Sequence, residues 1–230
     1  MTSISGSVED TGEDGYVQGK MGYSPLVEMR VNWLGVERFA LDQFDRPDLF
    51  FSLYETIRKG QREQFELVAD SPAELVVYCG NVSPEVFGRE RFERYILPCY
   101  NELGEMLHAK GKLFGTHADA NNAIWKDLLA TSTLDVIEAF TPAPDTDMSL
   151  AQAYATWPGK ALWINYPSSG HLGTREQIRE QTRDLLHQAG EARGLILGIT
   201  EDVPADKWRM SLDAIADVLA ENKASSRGLY

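Results

Sequence analysis

The sequence predicts an α/β protein, a (β/α)8 barrel of the TIM type that is incomplete, with about six of the eight strand-helix units. Three observations predict it. Six short apolar runs, around 17–22, 75–78, 113–115, 136–140, 161–166 and 195–199, alternate with longer segments of helical periodicity. These runs lack clean polar-apolar alternation, the pattern of parallel strands buried on both faces. No GxGxxG follows any of them, which argues against a dinucleotide-binding fold. A full barrel takes ~250 residues; six units leave it two short of closure.

Each element has a local reason. Residues 1–16, rich in Gly, Ser, Thr, Asp and Glu, read as a loose or disordered leader, and the barrel domain as residues 17–220. Residues 17–28 hold a weak strand and a Ser-Pro break. Trp33–Leu41 and Leu49–Ile57 read as helical, divided at Asp45-Arg46-Pro47-Asp48, where Pro47 suits a helix start. A helix over 58–69 follows, with Phe65, Leu67 and Val68 as its apolar positions. Leu75–Tyr78 is a strand that runs into Cys79-Gly80-Asn81. Phe92, Ile96, Tyr100, Leu103 and Leu107 recur at helical spacing; Pro98 starts or kinks that helix and Gly111 stops it. The strand Leu113–Gly115 leads to a helix over 122–131, the strand Val136–Phe140 and a Pro-containing loop. The helix Leu150–Thr156 and the strand Ala161–Tyr166 come next. Thr174 with Gln177 three residues on forms a capping box for the helix to Ala189. The strand Leu195–Ile199, a helix from about Lys207 to Ala220 and a polar tail over 221–230 close the chain.

Composition narrows the function classes. With 22 Lys and Arg against 35 Asp and Glu, the net charge is -13. That field argues against nucleic acid or an anionic membrane as the main partner. Two cysteines, Cys79 and Cys99, cannot make a disulfide framework, which suggests a reduced, cytoplasmic setting. No apolar run approaches the ~20 residues of a membrane span, and the acidic start is unlike a signal peptide.

The chemistry is expected where strands end and helices have not begun. The central stretch is Lys112–Trp125, KLFGTHADANNAIW. His117 and Asp119 stand two apart, so on an extended strand end they point to one side. They are read as metal ligands, as a histidine oriented for acid-base work, or as a hydrogen-bonded loop anchor. Glu138, inside the strand VIEAF, is a site candidate if it points into the barrel and a surface acid if it points out. Asn165 and Tyr166 close the strand ALWINY and are candidates for contact with substrate. Asn81 and Asn165 are candidates for a cofactor edge. Cys79 reads as a thiolate ligand or, more simply, as a small core residue. His108, His171 and His187 look structural.

In order and spacing, several stretches resemble the uroporphyrinogen decarboxylase superfamily, which includes tetrapyrrole decarboxylases and cobalamin-dependent methyltransferases. They are FERYILPCY, HAKGKLFGTHADAN, ALWINYPSS, GTREQIREQTRDLL and LILGITEDVP, within residues 17–220. The family's first two strand-helix units, with the arginine-rich loop by which decarboxylases hold carboxylates, have no counterpart here. His117-x-Asp119 stands where methyltransferase members carry a metal-binding His-x-Cys, and Glu201 about where they carry a further Cys. The resemblance therefore implies a methyltransferase-like enzyme. It would move a methyl group between a small substrate and a corrinoid held by a partner protein. Zn²⁺ would sit on His117, Asp119 and Glu201, with Asp202 as substitute if Glu201 turns outward. Tetrapyrrole decarboxylation and a non-catalytic partial barrel are the alternatives. Open sheet edges would favour self-association.

Overall fold

A computed structural model describes residues 11–12, 17–190, 194–199 and 202–227, with side chains to 223. Six strands form one parallel sheet: β1 (Gln18–Met21), β2 (Leu75–Tyr78), β3 (Leu113–His117), β4 (Val136–Phe140), β5 (Ala161–Asn165) and β6 (Leu195–Gly198). Their spatial order is their sequence order, and every pairing is parallel. This is the winding of a barrel, where each crossover returns the chain to the next position. Among the described residues β1 and β6 are not paired to each other, so the sheet is an unclosed arc.

The helices follow the sequence reading with adjustments at their ends. A helix starts at Pro25 (α1, Pro25–Glu28), continues as a π-helical segment over Met29–Leu34 and turns into α2 (Gly35–Asp45). It begins well before the expected Trp33, because Ser24-Pro25 opens a helix rather than merely breaking a strand. The two helical stretches expected after Pro47 form one helix, α3 (Pro47–Ala69). Phe65 is buried as expected, but Leu67 is 75% exposed. The buried stripe of α3 runs through Phe50, Tyr54, Gln61 and Phe65, and Leu67 lies two residues off it. Next come α4 (Pro84–Arg91), a π-helical stretch over Phe92–Ile96 and α5 (Leu97–His108), which Pro98 opens. The expected helix over 122–131 is a 3-10 turn (Ala123–Trp125) followed by α6 (Lys126–Ala130). Then come α7 (Leu150–Thr156), α8 (Arg175–Ala189) with both halves of its capping box formed, and α9 (Trp208–Arg227), longer than expected.

The alternation of each strand sorts its side chains onto two faces. Val76, Tyr78, Phe114, Ile137, Phe140, Leu162, Ile164 and Tyr166 join the helices in one large apolar core. The opposite face carries a small cluster, Leu75, Val77 and Val136 packed with Ala161 and Trp163. The described helices thus cover one face, and the other is the concave inside of the arc. At the amino ends of the strands, Lys160 Nζ donates to the carbonyls of Ser132 (3.0 Å) and Leu134 (2.5 Å). Lys112 Nζ does the same for Ser71 and, at 3.0 Å, Ala73. That end is tied down for stability, and the carboxyl ends are left to hold the site.

Candidate active site

On the concave face, residues facing one another across the strands fall into rungs. One rung runs Lys20, Val77, Gly115, Val136 and Ala161. Two residues on, at the carboxyl ends, His117 pairs in register with Glu138, and Glu138 with Trp163. Cys79 stands one residue past β2 at the level of His117. A cavity of about 190 Å³ opens there, lined by Lys20, Tyr23, Val77, Cys79, Gly80, Asn81, His117 and Glu138.

Glu138 points inward, which resolves the two readings the sequence allowed. It is only 7% exposed, and its Oε2 lies 2.6 Å from His117 Nδ1. Its aim is set by a bulge: the register with β5 shifts between Glu138 and Phe140, and the intervening Ala139 has φ +58°. Positive φ is unfavourable for alanine, and a bulge re-aims the side chains beside it.

His117 stands between two acids. Its Nε2 is 3.5 Å from Asp119 Oδ2, an ion pair rather than a well-formed hydrogen bond. Asp119 and Glu138 both favour the charged ring and together push the His117 pKa up to about 9. Asp119 is held below the usual carboxylate range by the same contact, against the opposing effect of its partial burial. The imidazolium is therefore the resting form at neutral pH. Glu138 grips Nδ1, and the Nε2 proton is left on the looser side.

The surroundings fix this ring. A Cβ added at Gly80 would fall 2.4 Å from His117 Cδ2 and 2.8 Å from the His117 carbonyl oxygen, so only glycine lets the chain after β2 pass so close. Beyond Asp119 the loop is locked. Asn122 Nδ2 donates to the Ala118 and Ala120 carbonyls, and Asn122 Oδ1 accepts from Trp125 Nε1 at 2.9 Å. Trp125 stacks on Phe92 at 4.6 Å between ring centroids. Site geometry held by packing of this kind is what preorganised chemistry needs.

The other expected residues are distributed unevenly. Asn81 lines the cavity in a left-handed conformation (φ +63°) that asparagine tolerates, and its Nδ2 donates to the Tyr23 hydroxyl at 2.9 Å. Cys79 also lines it, and burial raises its thiol above the ordinary value, so it rests as a thiol. Asn165 is fully buried at the end of β5, with its Nδ2 3.3 Å from Thr141 Oγ1, and does not line the cavity. Tyr166 faces the helix layer: its hydroxyl reaches the Ile178 carbonyl (3.2 Å) and Gln181 Oε1 (3.1 Å), and its ring lies against His171. The cavity thus gathers His117, Glu138 and Asn81; Asp119 stands against His117 without lining the cavity, and Asn165 and Tyr166 lie outside it. Glu201 lies outside the described residues.

Lys20 and Tyr23 were not singled out in the sequence. Their signal was a lone cation on a weak strand and an aromatic residue just before Ser24-Pro25.

The described donors do not by themselves complete a zinc site. Nδ1 of His117 is engaged by Glu138, Asp119 approaches its Nε2, and the third expected ligand, Glu201, lies outside the described residues. Among the described residues no group of three or more His, Cys, Asp or Glu converges. No described helix is long and apolar enough to cross a membrane.

Comparisons with known proteins bear on the whole arc. No curated protein sequence matches the chain. Among solved structures, a methyltransferase from Methanosarcina mazei superposes with a TM-score of 0.71 at 13% identity; the match covers 96% of this chain and 63% of that one. This chain therefore spans less than two thirds of that protein's length, and at such identity the likeness shows the fold. A thiamine phosphate pyrophosphorylase from Pyrococcus furiosus aligns over 69% of this chain and 89% of its own at 14% identity, with a TM-score of only 0.31. The uroporphyrinogen decarboxylase (URO-D) family model matches residues 33–219. With most of its length inside that match and six parallel strands wound as an open TIM-type barrel, the chain belongs to the uroporphyrinogen decarboxylase family.

Proposed function

We propose that this chain binds a small methylated substrate and handles the proton in a methyl transfer between that substrate and a corrinoid carried by a partner protein. The observation that carries the reading is the charged His117, held by Asp119 and Glu138 at the wall of a small cavity on the strand ends. A methyl group that leaves a heteroatom departs without the bonding electrons. The heteroatom keeps that pair and needs a proton, which His117 Nε2 supplies. In the reverse direction the same nitrogen takes the proton back. Glu138 keeps the ring in place through Nδ1, and Asp119 keeps it charged between turnovers. A positioned acid of this kind contributes ~10²–10⁴ in rate. The corrinoid, when presented by the partner, supplies the acceptor or donor for the methyl group.

Zinc assistance through His117, Asp119 and Glu201 is the competing form of this proposal, and there the ion would have to displace the proton from His117. The cavity disfavours tetrapyrrole decarboxylation. Among the described residues Lys20 is the one lining cation, apart from a histidine already matched by two acids.

The test is transfer of methyl from simple O-, N- and S-methyl compounds to reduced cobalamin, followed by the cobalamin absorbance. Activity that survives a chelator and falls ~100-fold or more in His117→Gln supports the proton-donor form. Activity that requires added Zn²⁺ favours the metal form. Absence of transfer from every class, with turnover of a carboxylated tetrapyrrole, refutes both.

A further inference from the structure

The acid side of the cavity leaves the opposite side unexplained. There Lys20 projects from β1, Tyr23 follows it, and Asn81 follows β2. Among the described residues Lys20 makes no hydrogen bond or ion pair, and its side chain is exposed at the cavity. Asn81 Nδ2 donates to the Tyr23 oxygen. That bond uses the acceptor side of the phenol and leaves the Tyr23 hydroxyl hydrogen without an acceptor among the described residues. Two donors without an acceptor among the described residues thus stand on the β1–β2 side, while His117 stands on the β3–β4 side.

We propose that Lys20 and Tyr23, with Asn81 orienting the phenol, form an anchor for an anionic group, and that the substrate is a small methylated monocarboxylate. The methylated part of this substrate class rests on the methyl-transfer reading above; the anchor itself does not. One ammonium and one hydroxyl match the charge and the two oxygens of a carboxylate. A dianion such as a phosphate monoester would bring a second charge toward Asp119 and Glu138 with no further lining cation among the described residues to offset it. The division of the cavity then sets orientation: the carboxylate lies toward β1, and the methylated heteroatom lies toward His117. A lysine with no partner among the described residues has a reason in this arrangement, because the ligand brings the opposite charge.

The test uses methoxyacetate, its unmethylated partner glycolate and the neutral 2-methoxyethanol as probes, titrated by NMR into the full chain. Wild-type protein should bind both carboxylates and discriminate against the neutral ether. Lys20→Met should weaken both carboxylates about tenfold and leave the ether unchanged, and Tyr23→Phe should weaken them about fivefold. Lys20→Arg should restore most of the loss and so separate charge from folding. Lys20 is exposed, so the fold is expected to survive each change, and an unaltered far-ultraviolet spectrum checks this. Equal binding of ether and carboxylate, equal affinity in Lys20→Met, or no binding of any probe overturns the anchor. The two proposals fail separately. Lys20-dependent binding of glycolate and methoxyacetate without methyl transfer keeps the anchor and sinks the transfer reading. Transfer from methoxyacetate with the same rate and half-saturation in wild type and Lys20→Met does the opposite.

Discussion

Glu138→Gln is the most informative single change, because it removes a charge from His117 and keeps the shape. In the native protein Asp119 and Glu138 together carry the His117 pKa from 6.5 up to about 9. That gap corresponds to about 3.4 kcal/mol at ~1.36 kcal/mol per pH unit. With Asp119 retained, the variant should titrate about one pH unit lower than wild type, ~1.4 kcal/mol less preference for the charged ring. The same change alters stability against pH. The folded-state value lies above the unfolded one, so the stabilisation is complete below pH 6.5 and is lost as pH rises through about 9. A third of the His117 side chain meets solvent, and screening there reduces the effect to about 1–2 kcal/mol. Wild-type protein should therefore lose stability between pH 6.5 and 9, and Glu138→Gln should lose less over a narrower range. The chain has four histidines, so the imidazole Cε1–H signals can be followed individually, with His117→Asn making the assignment. Denaturant unfolding at several pH values gives the second readout. A native His117 titrating near 6.5, or one unmoved by Glu138→Gln, refutes the two-acid clamp.

Other predictions follow from the same geometry. Gly80→Ala should force His117 from its place and cost about 1–3 kcal/mol, seen as a lower denaturant midpoint together with a shifted His117 titration. Tyr166→Phe should cost about 1 kcal/mol of stability through its lost hydroxyl bonds and leave binding in the cavity unaltered; a binding defect without a stability defect would place Tyr166 in the site after all. Thr174→Ala should lower stability by about 1 kcal/mol by removing the α8 cap, measurable by thermal melting. With β1 and β6 unpaired to each other, light scattering should show concentration-dependent association, and Ile196→Lys on β6 should reduce it; a monodisperse monomer at all concentrations counts against this.

The strands were legible because each is an apolar run too short for a helix and bounded by loop residues. Their arc-like order followed from counting units rather than from any one of them. Helix joints were less legible. Pro25 and Pro47 both open helices, but nothing local says that residues 58–69 continue the helix begun at Pro47. Leu67 shows the limit of composition: its type suits a core, and the phase of α3 turns it to solvent. In the site, His117 and Asp119 were found because two-residue spacing fixes their common side. Glu138 could be named but not aimed, since its direction depends on the bulge at Ala139. Asn165 and Tyr166, adjacent on one strand end, necessarily face opposite ways, and tertiary packing gave Tyr166 to the helices. Lys20 and Tyr23 matter only because β1 lies beside β2, a pairing across a long stretch of chain that no local pattern announces.

That long stretch has a kinetic meaning. The connection from His117 to Val136 is the shortest between neighbouring strands, and that from Met21 to Leu75 is about three times as long. By chain-closure entropy alone, docking β1 costs about 1 kcal/mol more than joining β3 to β4. The His117–Glu138 pair therefore belongs to a segment that can assemble early, while Lys20 and Tyr23 arrive with the strand whose closure is most expensive. Fluctuations that detach β1 would open one wall of the cavity and leave the histidine clamp whole. Amide exchange should accordingly be faster in β1 than in β3 and β4, and ligand entry would be tied to the opening of that first strand.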